Sequence, residues 1–595
     1  MKLFQTIATW LLASGLVLAA EPKKHDISDF DWSVLEPSAT LKYQPCYDGH
    51  KCAKLLVPLD WLNPSNPARV TLAVIARPAV VDETDPSFGG TVFTNPGGPS
   101  ASGIKLVLDL GEQTQKILDG NKKYEIMSFD PRGVGLSTPN ADCFRDEYTR
   151  NGYLLEDRLL GKPDFAPEIL KRKFAQAAMV GKLCEATDAT ENIRQFMSTS
   201  SVARDMVQMV DILAEMRNET ATRDETFEDI QIQLGSRKNA KQTATPRIQY
   251  WGFSYGTVLG NTFSSMFPGR VGRMILEAVE DPIDYYNATW ILNLKDTQKA
   301  LDHLWDTCFE GGTRCPLYDQ TDKSPADIER KVRNLMDRLD KNPEVYISPD
   351  TVTTITKQDI IFRIFVPLYN PMDDFPDIAA TLADALAGNF TRLVQHLKIP
   401  KPTDSCPSRQ PSAYTYPWVK EAQQAIACGD GEPQVDLTIE KFQEYLGVLK
   451  KDSPDFGGFW SAIRLACSGW RIRANYTFSG PWVTPKHDPS GVDGKPAAPL
   501  LLVSSLIDPV TPLANAYEVA KGHPGSVVLI QDNVGHGTIE TPGNCRDEFI
   551  RAYMETGELP DKKDVFCKAD CKPFQDCPGH EAGSGSRSFL RSYQL

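Results

Sequence analysis

Ile248-Gln-Tyr-Trp-Gly252-Phe-Ser254-Tyr-Gly256-Thr-Val-Leu259 is the stretch whose reading decides the fold. Its aromatic-rich first half reads as a strand, and the residues after Ser254 read as a helix running to about Phe267. Between them stands G-x-S-x-G, which on a sharp strand-to-helix turn exposes a serine hydroxyl for nucleophilic attack. Gly252 and Gly256 suit such a turn because tightly packed backbone leaves no room for a Cβ. The helix N-terminus that follows directs N–H groups toward developing negative charge. The pentapeptide also fits an inert Gly-Ser turn, so the role of Ser254 turns on its partners elsewhere.

Those partners have expected positions. Strand and helix signals alternate from residue 90 to 279, with strands at Gly90-Thr-Val-Phe-Thr94, Glu125-Ile-Met-Ser-Phe129, the Ser254 strand and Val271-Gly-Arg-Met-Ile-Leu-Glu277. This predicts an α/β fold of the α/β-hydrolase type, a mostly parallel central sheet with helices on both faces and an inserted helical cap. Runs at 52–60 and 70–77, separated by the turn-rich Asn63-Pro-Ser-Asn-Pro67, read as an antiparallel pair ahead of it. Residues 282–480 interrupt the alternation with long amphipathic helices and a Pro-rich segment at 399–417. The rhythm resumes at Pro499-Leu-Leu-Leu-Val-Ser504 and Ser526-Val-Val-Leu-Ile530. The domain reading is therefore a signal peptide at 1–20, a hydrolase core at 21–281, a cap at 282–480, the C-terminal core at 481–578 and a disordered tail at 579–595.

In such a fold the triad follows in the order Ser, Asp or Glu, His, each just beyond a strand. Asp508, in Ser505-Leu-Ile-Asp508-Pro, and His536, in Val534-Gly-His536-Gly, occupy those places. Singly, Asp508 could cap a helix, the histidine could be structural, and Asp532 could orient the base in place of Asp508. Jointly, order and position favour Ser254, Asp508 and His536. Oxyanion donors are expected from the N–H of Tyr255 and from Gly98, in the loop Asn95-Pro-Gly97-Gly98-Pro-Ser100. A tight structural turn would use the same loop residues.

The chain has 595 residues, 41% hydrophobic and 24% charged, and a net charge of −14 without a long basic run. That composition predicts a globular protein and excludes a nucleic-acid partner. A basic start and the apolar Leu11-Leu-Ala-Ser-Gly-Leu-Val-Leu-Ala-Ala20 read as a secretory signal, shorter than the roughly 20 residues a membrane span needs. No later stretch reads as a span, so the mature chain is expected to be secreted, off the membrane and monomeric. Thirteen cysteines fit disulfides with one left over. Short-range candidates are Cys46–Cys52, Cys308–Cys315 and Cys571–Cys577; longer ones are Cys143–Cys184, Cys428–Cys467 and Cys545–Cys567, leaving Cys406. Sequons at Asn218, Asn287, Asn389 and Asn475 predict exposed glycosylation sites. No metal or organic cofactor is implied.

Taken together, Asn95-Pro-Gly-Gly-Pro-Ser100, Asp130-Pro-Arg-Gly-Val-Gly-Leu-Ser137, Gly252-Phe-Ser-Tyr-Gly-Thr257, Asp508-Pro-Val-Thr-Pro512 and Gly535-His-Gly537 resemble secreted tripeptidyl aminopeptidases, serine peptidases of the prolyl-aminopeptidase clan. The likeness extends to Cys52-Ala-Lys-Leu-Leu-Val-Pro-Leu-Asp60 and to the late Cys545 and Cys567, and so covers nearly the whole mature chain. It implies a capped α/β-hydrolase that releases short peptides from free N-termini, with Ser254 as nucleophile, His536 as base then acid, and Asp508 as orienter. A carboxylesterase with the same triad is the alternative. One departure is Leu276-Glu277-Ala278, where relatives more often show Leu-Asp-Gly. An exopeptidase also needs an anion for the substrate's α-ammonium. Glu277, Glu280 and Asp281 could supply it, although a solvated or salt-bridged acidic cluster is the expectation favoured for them.

Overall fold

Strands rich in β-branched and aromatic residues build one ten-stranded sheet. A computed structural model describes residues 25–186, 192–217, 245–399 and 414–577. The expected signal segment, the Asn218 sequon, Cys406 and the tail beyond Cys577 lie outside the described residues. In chain order the strands among the described residues are β1 Gln44–Cys46, β2 His50–Pro58, β3 Arg69–Arg77, β4 Phe88–Asn95, β5 Lys123–Phe129, β6 Ile248–Phe253, β7 Val271–Glu277, β8 Glu344–Ser348, β9 Thr351–Ile355, β10 Leu501–Ile507, β11 Val527–Val534 and β12 Asp564–Lys568. The large sheet has the order β1-β2-β3-β5-β4-β6-β7-β10-β11-β12. From β5 to β12 all neighbours are parallel, whereas β1, β2, β3 and the β3–β5 pair are antiparallel. The antiparallel β2–β3 pair and the parallel centre agree with the patterning of the sequence.

Parallel strands buried on both faces carry apolar side chains without interruption, and these do. Tyr250, Leu502 and Val528 pack on one face; Trp251, Leu501, Val503 and Leu529 pack on the other. The helices Thr199–Met216, Tyr255–Met266 and Leu513–Lys521 cover the first face. The helices Gly103–Leu118 and Asn544–Thr556 cover the second. The first-face core continues without a break into the segment between β7 and β10, through residues such as Leu335, Phe365 and Phe456. Among its described residues that segment carries, beside its helices, the antiparallel hairpin β8–β9, a correction to the expectation of helices alone. Both hairpin strands are short and β-branched, and the strong helical periodicity around them hides them. The short β12 is likewise unannounced by the sequence; it extends the sheet where Cys567 is joined to Cys545.

The loop after β5 fastens the layers. Arg132, fully buried, donates to Asp205 at 2.6 and 2.7 Å and to the carbonyls of Pro58 and Leu59 at 2.6 Å. Asp205 lies on the helix Thr199–Met216, so one guanidinium ties strand end, loop and helix together. Among the described residues six disulfides form, Cys46–Cys52, Cys143–Cys184, Cys308–Cys315, Cys428–Cys467, Cys545–Cys567 and Cys571–Cys577. Asn287, Asn389 and Asn475 are all exposed. No helix among the described residues is long and apolar enough to cross a membrane.

Candidate active site

The C-terminal ends of β4, β6, β7, β10 and β11 converge at one edge of the sheet, where open parallel sheets bind ligands. Ser254 sits between β6 and the helix Tyr255–Met266 with φ 56° and ψ −126°, a conformation that costs a non-glycine residue about 1–3 kcal/mol. The turn is held by the Ser254 N–H donating to the Glu277 carbonyl (3.0 Å) and by Thr257, whose N–H (2.8 Å) and hydroxyl (2.6 Å) both donate to the Ser254 carbonyl. A Cβ at Gly252 would lie 2.5 Å from the Gly256 carbonyl, and one at Gly256 would lie 2.7 Å from that of Asn95, so backbone fills both places.

Asp508, at the end of β10, is fully buried. Its Oδ1 accepts the N–H groups of Val510 (2.9 Å) and Thr511 (2.8 Å), and its Oδ2 accepts that of Gly537 (3.0 Å). Nδ1–H of His536 donates to the same carboxylate at 3.0 and 3.1 Å. That bond fixes the tautomer and leaves Nε2 as the basic nitrogen. The Thr511 hydroxyl stands 3.1 Å from Nδ1 as well. Asp532 is exposed on β11, whereas Asp508 is the carboxylate bonded to the imidazole.

Two further groups hold His536, and neither was anticipated. Its N–H donates to the Tyr369 carbonyl (2.7 Å), and the Tyr369 ring meets the imidazole edge-on with centroids 5.1 Å apart. Tyr369 comes from the segment between β7 and β10, so that segment forms part of the site. The second group is Glu277, fully buried at the end of β7. Its Oε1 accepts from the Thr538 N–H (2.5 Å), the Thr538 hydroxyl (2.8 Å) and the Ile539 N–H (3.0 Å), while Oε2 accepts from Trp251 Nε1 (2.9 Å). Four donors on one carboxylate pin the loop that carries His536.

The loop after β4 approaches Ser254 from the opposite side. Gly97 adopts φ +97°, and a Cβ there would come within 2.5 Å of the Phe253 carbonyl and 2.8 Å of Ser254 Cβ. The Gly97 N–H donates to Asn95 Oδ1 (3.0 Å). Asp130, at the end of β5, anchors the far end of this loop by accepting from the Ser102 hydroxyl (2.6 Å). Gly98, Ser254 and Tyr255 line one cavity of about 90 Å³. The Tyr255 N–H is the first of the helix, among those with no acceptor inside it. The Tyr255 side chain is steered by another unanticipated set. Its phenol shares a 2.5 Å hydrogen bond with Thr199 Oγ1, which bonds Asp430 Oδ2 at 2.6 Å, and Tyr285 donates to the same carboxylate at 3.2 Å. Burial lifts Asp430 to about 7 against these bonds.

The acidic cluster differs from expectation. Glu277, Glu280 and Asp281 are buried rather than solvated, and among the described residues none forms a salt bridge. Burial next to a hydrophobic core, rather than solvent, surrounds them because β7 runs straight into the site. Glu277 is committed to the His536 loop, and Asp281 caps the helix Pro282–Tyr286 through the N–H groups of Ile283 (2.8 Å) and Asp284 (3.0 Å). Glu280 lines the cavity with Ser254 and, among the described residues, its carboxyl receives only Asn293 Nδ2, at 2.9 and 3.1 Å. Burial is the main force raising its carboxyl to about 8, with Asp284, Asp281 and Asp508 adding to it. Asn293 also lines this cavity, and its other amide atom, Oδ1, is buried without a partner among the described residues. Glutamates so close to a strand end carry no spacing signal that separates one holding a loop from one facing a ligand.

Residues 453–567 match the family described as TAP-like protein. Along 561 residues the chain is 25% identical to serine protease Hip1 of Mycobacterium tuberculosis, covering 92% of each protein. It is 23% identical over 543 residues to the tripeptidyl aminopeptidase of Streptomyces lividans, covering 88% of this chain and 84% of that protein. A shorter stretch of 96 residues, 16% of this chain and 17% of the other, is 38% identical to carboxylesterase B of Mycobacterium tuberculosis.

Proposed function

We propose that this chain, a TAP-like member of the α/β-hydrolase superfamily, is a secreted, monomeric serine aminopeptidase that releases short peptides from free N-termini. Ser254 Oγ attacks the scissile carbonyl while Nε2 of His536 takes its proton. Asp508 holds the imidazole and stabilises the imidazolium; the N–H groups of Tyr255 and Gly98 receive the oxyanion. His536 then protonates the leaving amine, and water hydrolyses the acyl-enzyme.

The observation that carries the exopeptidase reading is Glu280. A buried carboxyl without a cation, beside an orphaned amide oxygen, holds its proton in the empty protein because ionising it there is costly, and an arriving cation would restore the carboxylate. A substrate α-ammonium offers three donors and one positive charge, which satisfy Glu280 and Asn293 Oδ1 together. An ester lacking a free amine leaves Glu280 without a cation and Asn293 Oδ1 without a donor.

The test compares a free-amine tripeptide arylamide, its N-acetylated twin and a short aryl ester, on wild type, Ser254→Ala and Glu280→Gln. The expected result is cleavage of the free-amine amide, abolished by Ser254→Ala and reduced about 10- to 100-fold in kcat/KM by Glu280→Gln, the range for losing a charge-assisted bond. Turnover of the ester alone would make the protein a carboxylesterase. Full activity of Ser254→Ala would overturn the nucleophile.

A further inference from the structure

A second cavity of about 120 Å³ adjoins the reaction cavity, and the two share Lys420, Gln423, Ala427, Trp460 and Ile463 as a common wall. Two helices present one face each to it. Lys173, Gln176, Ala177 and Val180 recur at helical spacing on the helix Pro167–Ala186, and Lys420, Gln423, Gln424 and Ala427 on the helix Val419–Asp430. We propose that this cavity binds a carboxylate of the peptide substrate, through Lys420 and Lys162 with Gln176 as a neutral donor. The inference rests on the peptidase reading and assigns it a second recognition point, of charge opposite to that of Glu280.

The electrostatic balance of the cavity favours an anion. Lys162, Lys173 and Lys420 line it, and Asp157 is the carboxylate among its lining residues. Asp157 is taken by Lys173, whose Nζ lies 2.6 Å from Oδ1 and 2.9 Å from the Asp157 carbonyl. The nearby acids are occupied too, Asp164 by Lys450 at 3.0 Å and Glu156 by Arg172 at 3.4 Å. Lys162 rests over the Phe459 ring at 4.3 Å, and neither it nor Lys420 has a carboxylate within ion-pairing distance among the described residues. Burial, then Lys420, brings Lys162 down to about 7, with Lys173 adding to the repulsion. An arriving carboxylate reverses that repulsion.

Neutral donors stand ready beside the charges. Gln176 is 6% exposed, yet neither its amide nitrogen nor its amide oxygen has a partner. Trp460, in the wall common to both cavities, has an indole N–H that is buried and unpaired. An unmet buried donor costs about 1–3 kcal/mol, and a carboxylate accepts from amide, indole and ammonium alike. The chemistry is shared by the C-terminal carboxylate of a short peptide and by an acidic side chain.

The experiment is calorimetric binding to the Ser254→Ala protein, where no turnover intervenes. The probes are Ala-Ala-Ala-Ala as the free acid, the same peptide as its C-terminal amide, and an Ala-Ala-Ala-Glu amide. The free acid is expected to bind about tenfold tighter than the plain amide, the gain from one charge-assisted contact. Adding Lys420→Gln should bring the two within about twofold, while Lys420→Arg keeps the preference; plain-amide binding in each variant shows that it is folded. A gain restricted to the glutamyl amide assigns the site to a side-chain carboxylate. Equal binding of all three peptides, indifferent to Lys420, overturns the proposal. A failed aminopeptidase reading shows separately, as wild-type enzyme that leaves the free-amine arylamide intact.

Discussion

Replacing Glu277 by Gln tests whether the His536 loop is held as the geometry indicates. The carboxylate accepts three hydrogen bonds from Thr538 and Ile539 on one oxygen and one from Trp251 on the other. A glutamine amide keeps one acceptor. If its oxygen serves the loop, its NH₂ faces the Trp251 N–H, donor against donor. The orphaned indole costs about 1–3 kcal/mol and the remaining bonds lose their charge assistance, for a total of about 2–4 kcal/mol. Urea unfolding should register that loss as a lower midpoint at unchanged slope. Misplacement of His536 by a fraction of an ångström should lower kcat on the free-amine tripeptide arylamide about 10- to 100-fold, with KM inside about twofold. A variant of wild-type stability whose KM rises while kcat is kept would refute this and assign Glu277 to the substrate's ammonium.

Glu280→Gln should alter the pH dependence of stability. In the folded protein this carboxyl keeps its proton to about pH 8, whereas the unfolded chain releases it near 4.5, so the folded state binds more protons between those values and loses stability as pH rises. The variant should escape that loss, gaining a few kcal/mol over wild type at pH 8 relative to pH 5 in urea titrations; parallel curves would contradict it. Asp205→Ala strands the fully buried Arg132 and should cost about 3–5 kcal/mol in chemical denaturation. Gly97→Ala drives a methyl against the Phe253 carbonyl and Ser254 Cβ at a positive φ, and should cut kcat about 100-fold while circular dichroism shows an intact fold.

The sequence by itself determined the parts of this protein whose physics is local. A glycine-flanked serine between a strand pattern and a helix pattern admits few geometries, and the same holds for Asp508 and His536 just beyond apolar strand runs. Period-two and apolar-run signals likewise announced the β2–β3 pair and the parallel centre of the sheet. Tertiary structure decided which acids do which work. Glu277, Glu280 and Asp281 lie within five residues, yet one pins a loop 261 residues away, one lines the cavity and one caps a helix. Their roles depend on what packs against them: Thr538 and Ile539 reach Glu277 from a remote stretch of chain, Asn293 reaches Glu280 from the loop that follows, and Asp281 caps the turn next to it. The cationic cavity was hidden for the same reason. Lys162 and Lys173 stand far from Lys420 in the sequence, and only tertiary packing brings the three to the lining of one cavity.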